Sequence, residues 1–137
     1  MFNGQWKRTH ADTLEQLCFV LEIKENDKIA ELEMLLNANL STIIDEEDDQ
    51  ITVFHRFVFD LDNETEDSRV IKFNQLDTCT AMNGEKVQSS YHRSGIASIE
   101  GHEGDFSITY RIDGSRLIQT IKRGHHQFRQ ISEEIFY

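Results

Sequence analysis

At 137 residues, with a formal net charge of −11 and a pI near 4.9, the chain is long enough for one domain with a real core. It is too acidic for a general nucleic-acid or anionic-membrane binder, because those partners need basic surface. Cys18 and Cys79 have neither metal-ligand nor disulfide-framework spacing and read as buried free thiols in a reducing compartment.

Phe2 to Arg8 is short and aromatic and reads as a first strand, with Trp6 plugging one end of the core. The same stretch lacks the charged and then apolar regions of a secretory signal, and no apolar run in the chain reaches the roughly 20 residues that span a bilayer. A cytoplasmic chain is therefore expected. A helix start follows, capped by Asp12 with Glu15 or by Thr13 with Gln16. Leu14, Leu17, Cys18 and Leu21 then recur at helical spacing and imply a lid or plug helix. After a polar break at Lys24 to Asp27, Ile29, Leu32 and Leu36 give a second apolar helical face that Asn37 and Asn39 end. The pair is a helix-turn-helix, but Asp27, Glu31 and Glu33 against Lys28 carry the wrong sign for phosphate.

Leu40 to Ile44 reads as a strand, followed by the acidic turn Asp45 to Asp49. That run has no glycine for a sharp bend and no alternating ligand positions, so it reads as a solvated turn and not a calcium loop. From Gln50 onward the chain alternates. Ile51, Val53, His55, Phe57, Phe59 and Leu61 share one strand face, which is apolar except for His55. Further segments run from Arg69 to Leu76, Glu85 to His92, Asp105 to Ile112, Arg116 to Arg123 and Phe128 to Tyr137. Between them stand Asn83-Gly84, Ser94-Gly95, Gly101 to Gly104, Asp113-Gly114 and Gly124-His125, residues that tight turns demand. The connections are too short for parallel crossovers, so the strands are antiparallel neighbours in a small barrel or sandwich. Proline is absent, which suits uninterrupted strands. No domain boundary or internal repeat is visible, so residues 1–137 form one domain.

Phe2-Asn3-Gly4-Gln5-Trp6, two short helices, Asn83-Gly84-Glu85-Lys86-Val87-Gln88-Ser89 and Asp113-Gly114-Ser115-Arg116-Leu117-Ile118-Gln119-Thr120 stand in that order. Together they resemble the intracellular lipid-binding proteins, the family of fatty-acid-binding and cellular retinoid-binding proteins. The resemblance implies a mainly β fold, a ten-stranded antiparallel up-and-down β-barrel capped by a helix-turn-helix lid. It implies a long-chain fatty acid or related amphiphile in the interior, a monomeric carrier with no catalytic centre and no prosthetic group, and transient membrane contact through the lid. The family's carboxylate clamp is an arginine in the seventh strand and an Arg-x-Tyr pair in the last. Counting back from Asp113-Gly114 puts the first of these on Thr109, with Arg111 next on the same face. Counting forward from Gly124 puts the pair on Gln130 and Ser132, and a slip of one substitutes Arg129 and Ile131.

A carboxylate inside a barrel needs an arginine fork or several neutral donors, because an unpaired buried charge costs several kcal/mol. The expected ligand residues are thus Arg111 as cation, Gln119, Gln130, Thr109 and Ser132 as neutral partners, His55 as a pH-dependent donor, Phe57 against the tail, and Arg129 under the alternative register. An enzyme is disfavoured: none of the six histidines sits in His-Glu-x-x-His, and there is no Gly-x-Ser-x-Gly elbow or phosphate loop. The remaining rival is a side-chain-filled barrel or sandwich serving as a protein-interaction module, with exposed Phe54 marking its interface.

Overall fold

The computed structural model describes residues 1–135. The chain runs β1 (Gly4–Ala11), α1 (Leu14–Leu21), α2 (Asn26–Asn37), β2 (Asn39–Glu46), β3 (Gln50–Asp60), β4 (Asn63–Lys72), β5 (Asp77–Thr80), β6 (Lys86–Gly95), β7 (Ser98–Glu103), β8 (Phe106–Asp113), β9 (Arg116–Arg123) and β10 (His126–Glu134). The predicted last segment also includes Phe136 and Tyr137, which lie outside the described residues. One antiparallel sheet holds all ten strands in the order β4-β3-β2-β1-β10-β9-β8-β7-β6-β5. Consecutive strands are joined by hairpins, except where the two helices join β1 to β2 and where residues 73–76 carry the chain from β4 to β5 at the opposite edge of the sheet. The sheet curls so that its edges approach, joined by a bridge between Phe73 and Tyr91 and the bond from the Asn74 amide to the Tyr91 carbonyl at 2.8 Å.

Thr13, and not Asp12, caps α1: its side chain accepts from the Gln16 amide, and the Gln16 side chain accepts from the Thr13 amide at 2.9 Å. Leu17, Val20 and Leu21 are buried beneath α1, packed with Leu32 of α2, Phe106, Ile121 and Phe128. At the far end, Phe2, Trp6, Ile44, Ile51, Val53, Ile99 and Leu117 form the floor. Trp6 is buried there, with its indole N–H donating to the Phe2 carbonyl at 3.2 Å.

Several boundaries differ from the sequence reading, each for a local reason. β4 begins at Asn63, because the acidic run from Glu64 to Asp67 faces Arg56 and His55 across the ladder. Leu61, expected on the inner face, is fully exposed in the β3–β4 turn, where Asp60 accepts from the Asp62 amide and the Asn63 side chain. Gly101 and Glu103, expected in a turn, belong to β7; a Cβ at Gly101 would overlap the Tyr91 ring packed on it. The β6–β7 turn is Ile96-Ala97, closed by Gly95 and Ser98.

Candidate ligand-binding interior

Period-two geometry carries the inner face from strand to strand. Cross-strand register aligns Trp6 with Thr42, Thr42 with His55, His55 with Asp67, Arg8 with Ser132, and Gln130 with Gln119. On the other half it aligns Ser89 with Glu103, Tyr91 with Gly101, and Ile99 with Tyr110. The buried floor and lid clusters use this same face, so the polar residues form a belt between two apolar layers.

Three groups of bonds organise the belt. Arg8 reaches the end of α2, its Nη2 donating to the carbonyls of Leu35, Leu36 and Ala38 at 2.7, 3.0 and 3.0 Å. The last turn of α2 has no basic residue of its own, so a guanidinium from β1 meets its orphan carbonyls and negative dipole end. Arg8 Nη1 donates to Gln130 Oε1 at 3.3 Å, and Gln130 Nε2 donates to Gln119 Oε1 at 2.5 Å, leaving the Gln119 NH₂ at the free end of the relay.

In the second group, Arg69 of β4 and the Tyr91 hydroxyl of β6 both donate to the Glu103 carboxylate of β7. Glu103 is 2% exposed, so its charge depends on these partners. Burial lowers the Arg69 pKa, but the surrounding Tyr91 and Glu103 outweigh that and hold it above its usual value. Burial also pushes Tyr91 up, and Tyr110 up to about 12, so both remain phenols at neutral pH. In the third, His55 Nδ1 lies 3.0 Å from Asp67 Oδ1, and this bond holds the Asp67 carboxyl below its ordinary value. Thr42 Oγ1, Ser132 Oγ and, at the lid end, Arg123 Nη2 are buried and have no hydrogen-bond partner among the described residues.

Gln119, Gln130, Ser132, His55 and Phe57 therefore lie on the inner face, while Thr109, Arg111 and Arg129 do not. In β8 the buried residues are Phe106 and Tyr110, with Ile108 and Ile112 packed against the core. Arg111 is exposed on the opposite face, which it shares with Thr109. The expectation failed because the turn is Gly114-Ser115, closed by Asp113 opposite Arg116, and not Asp113-Gly114. A one-residue slip reverses every side chain. Arg129 is likewise exposed, its backbone amide donating to Asp12. Sequence reasoning missed Arg8, Thr42, Arg69, Tyr91 and Glu103. Arg8 was recoverable as the residue two beyond Trp6, and Arg69 as the one two before Ile71. Glu103 was hidden by the flanking glycines, which mimic a turn.

Near Arg69 and Tyr91 the unpaired edges of β4 and β5 leave a cavity of about 280 Å³, lined also by Cys79 and Ser89. A surface cavity of about 420 Å³ lies where Met34 of α2 and Ala38, just after the helix, meet Phe59 of β3. Beside it, Phe57 and Phe59 are half-buried and the inner-face residues Thr65 and Asp67 are exposed, so water reaches the interior there.

No family model and no curated relative matches the chain. Solved structures do. A fatty acid binding protein of Schistosoma mansoni in complex with arachidonic acid is similar at 14% identity and a TM-score of 0.79, over 98% of this chain and 96% of the other. Lipid binding protein 8 of Caenorhabditis elegans, in its apo form, matches at 15% identity and a TM-score of 0.76, over 98% and 95%. A fatty-acid-binding protein from brain tissue of Drosophila melanogaster matches at 15% identity and 0.75, over 97% and 99%. The chain has the fold of the fatty-acid-binding proteins, with two helices as its lid.

Proposed function

We infer that the chain is a non-enzymatic carrier that takes one long-chain amphiphile into the curled sheet, tail against the apolar layers and head at the belt. The observation that carries this reading is two fully buried inner-face hydroxyls, Thr42 and Ser132, that have no hydrogen-bond partner among the described residues. Unsatisfied buried polar groups cost free energy and indicate that something else fills their valences. Gln119, Gln130 and Ser132 serve the head, His55 lines its approach, and Phe57 lies along the tail. Each buried methylene contributes about 0.8 kcal/mol, so a long chain reaches micromolar affinity or better after association costs of about 4–15 kcal/mol. The lipid- and fatty-acid-binding proteins whose fold it shares support a lipid ligand by analogy of fold.

Two unpaired thiols, Cys18 and Cys79, suit a reducing, intracellular compartment. Phe19 and Met34 are exposed on the lid and would make any transient membrane contact. Asp27, Glu31 and Glu33 on α2 restrict such contact to uncharged bilayers.

The test is to delipidate the protein, add C14 to C18 amphiphiles with different heads, and follow thermal stability and displacement of an uncharged fluorescent probe. A bound ligand raises the melting temperature in a concentration-dependent way. If none of them changes the melting temperature or displaces the probe, the interior is a filled core and the interaction-module reading gains. Size-exclusion mass, expected to be that of a monomer, separates the same two readings.

A further inference from the structure

The interior has cations, but each is already engaged. Arg8 is spent on the three carbonyls that end α2, and Arg69 on the buried Glu103 carboxylate. Arg93, at the floor, donates to the Glu46 carboxylate at 2.5 Å and to the Glu47 carbonyl at 2.6 Å. Arg123 lies at the lid end, over the Phe106 ring at 4.5 Å; its Nη2 is buried without a hydrogen bond among the described residues and has the Glu22 carboxylate at 3.6 Å as its ion-pair partner. His55 faces Asp67. Arg111 and Arg129 are exposed on the outer face.

Apart from Arg123 Nη2 at the lid end, the buried side-chain atoms without a hydrogen-bond partner among the described residues are neutral. The hydroxyls of Thr42 and Ser132 each donate and accept, and the Gln119 NH₂ donates. An ionised carboxylate only accepts: these groups could donate to it, but the guanidinia of Arg8 and Arg69 already face acceptors and do not balance its charge, and the acceptor side of each hydroxyl would stay unfilled. A head that both donates and accepts matches the two hydroxyls.

The approach has the same preference. The opening between α2 and β3 is lined by Ala30, Glu33, Met34, Asn37, Ala38 and Phe59, so the charge its lining carries is the acidic Glu33. Like charge on a rim of this kind slows an anion and leaves an uncharged molecule unaffected.

On the premise that the chain is a lipid carrier, we propose that its ligand is a long-chain amphiphile with an uncharged hydrogen-bonding head, an alcohol or a primary amide, and not a fatty-acid anion. The charge inventory of the belt and the sign of the rim are separate observations and agree.

The test uses the delipidated full chain and three ligands of one chain length, hexadecan-1-ol, hexadecanamide and hexadecanoate. Each is supplied from cyclodextrin at pH 7.5 and competed against an uncharged solvatochromic dye. The alcohol and the amide are expected to bind at least tenfold more tightly than the acid. Equal or tighter binding of the acid overturns the inference and leaves the carrier reading standing. Failure of all three to displace the dye or to shift the melting temperature overturns the carrier reading and the inference with it.

Two variants examine the cause. Glu103→Gln frees the charge of Arg69 and is expected to raise the acid-to-alcohol affinity ratio at least tenfold; an unchanged ratio in folded protein counts against the charge argument. Ser132→Ala is expected to weaken the alcohol severalfold and leave the acid alone. Equal loss for both ligands would mean that the hydroxyl only shapes the site. Should Glu103→Gln not fold, the comparison on the unaltered chain still decides.

Discussion

Glu103 shows how much one inward side chain can demand of its neighbours. A carboxylate that is 2% exposed is stable as an anion only while Arg69 and the Tyr91 hydroxyl face it. Replacing Arg69 by Met keeps the stem's packing but strands the charge, at an expected cost of about 3 kcal/mol. Adding Glu103→Gln removes the stranded charge, so the double variant is expected to regain more than half of the loss. Urea unfolding of the two single variants and the double variant measures this coupling; additive losses would show that the pair does not interact. This cluster was invisible in the sequence because Gly101 and Gly104 bracket Glu103 and suggest a turn. One glycine makes room for the Tyr91 ring, and the other supplies the positive φ of the real turn. Arg111 failed in the opposite way: its chemistry was right for a ligand and its face was wrong, because one residue of turn register decides orientation.

The elements were far more legible than the site. Helical spacing located α1 and α2 to within a residue or two, and the alternation after Gln50 identified β3 and its inner set apart from Leu61. Those signals come from burial, which repeats along an element and survives a single error. The attachment of α2 to the barrel is instead a tertiary matter. Its helical neighbour α1 packs well on β9 and β10, whereas among the described residues of α2 only Leu32 is buried. Arg8 supplies the missing anchor through three carbonyls, so α2 is held at its C-terminal end and is free to lift at its start. Arg8→Met is expected to raise amide exchange throughout α2 by at least tenfold and to lower global stability by only about 1–2 kcal/mol. Hydrogen exchange read by mass spectrometry separates the two effects. Equal loss of protection in α2 and in the β8–β9 hairpin would show that Arg8 holds up the whole fold and not the lid.

At the scale of the whole molecule, the sheet leaves β4 and β5 unpaired, and side chains close it across that gap. Arg69 of β4 reaches Glu103 of β7, and Arg93 of β6 reaches Glu46 of β2, stacking over Phe73 at 4.7 Å on the way. Glu46 also accepts from the Phe2 amide and from the chain's terminal ammonium, both at 2.8 Å. Burial pushes its carboxyl upward, but the bonds from the ammonium, Arg93 and Phe2 prevail and hold it at about 2, against an ordinary value of 4.5. A folded-state value below the unfolded one means that the unfolded chain takes up the proton first. The stabilisation is therefore full above about pH 4.5 and disappears as the pH falls toward 2. Integrated over that interval it is worth about 3 kcal/mol, as an order of magnitude. Glu46→Gln is expected to lose most of that at pH 7 and to show a correspondingly shallower decline in stability between pH 4.5 and 2. The side-chain carbonyl of glutamine keeps the Phe2 bond, so the difference isolates the charge. Urea midpoints measured at half-unit pH steps give both profiles. Parallel profiles would mean that Glu46 titrates alike in the folded and unfolded chains, and that the floor of the barrel is closed by packing alone.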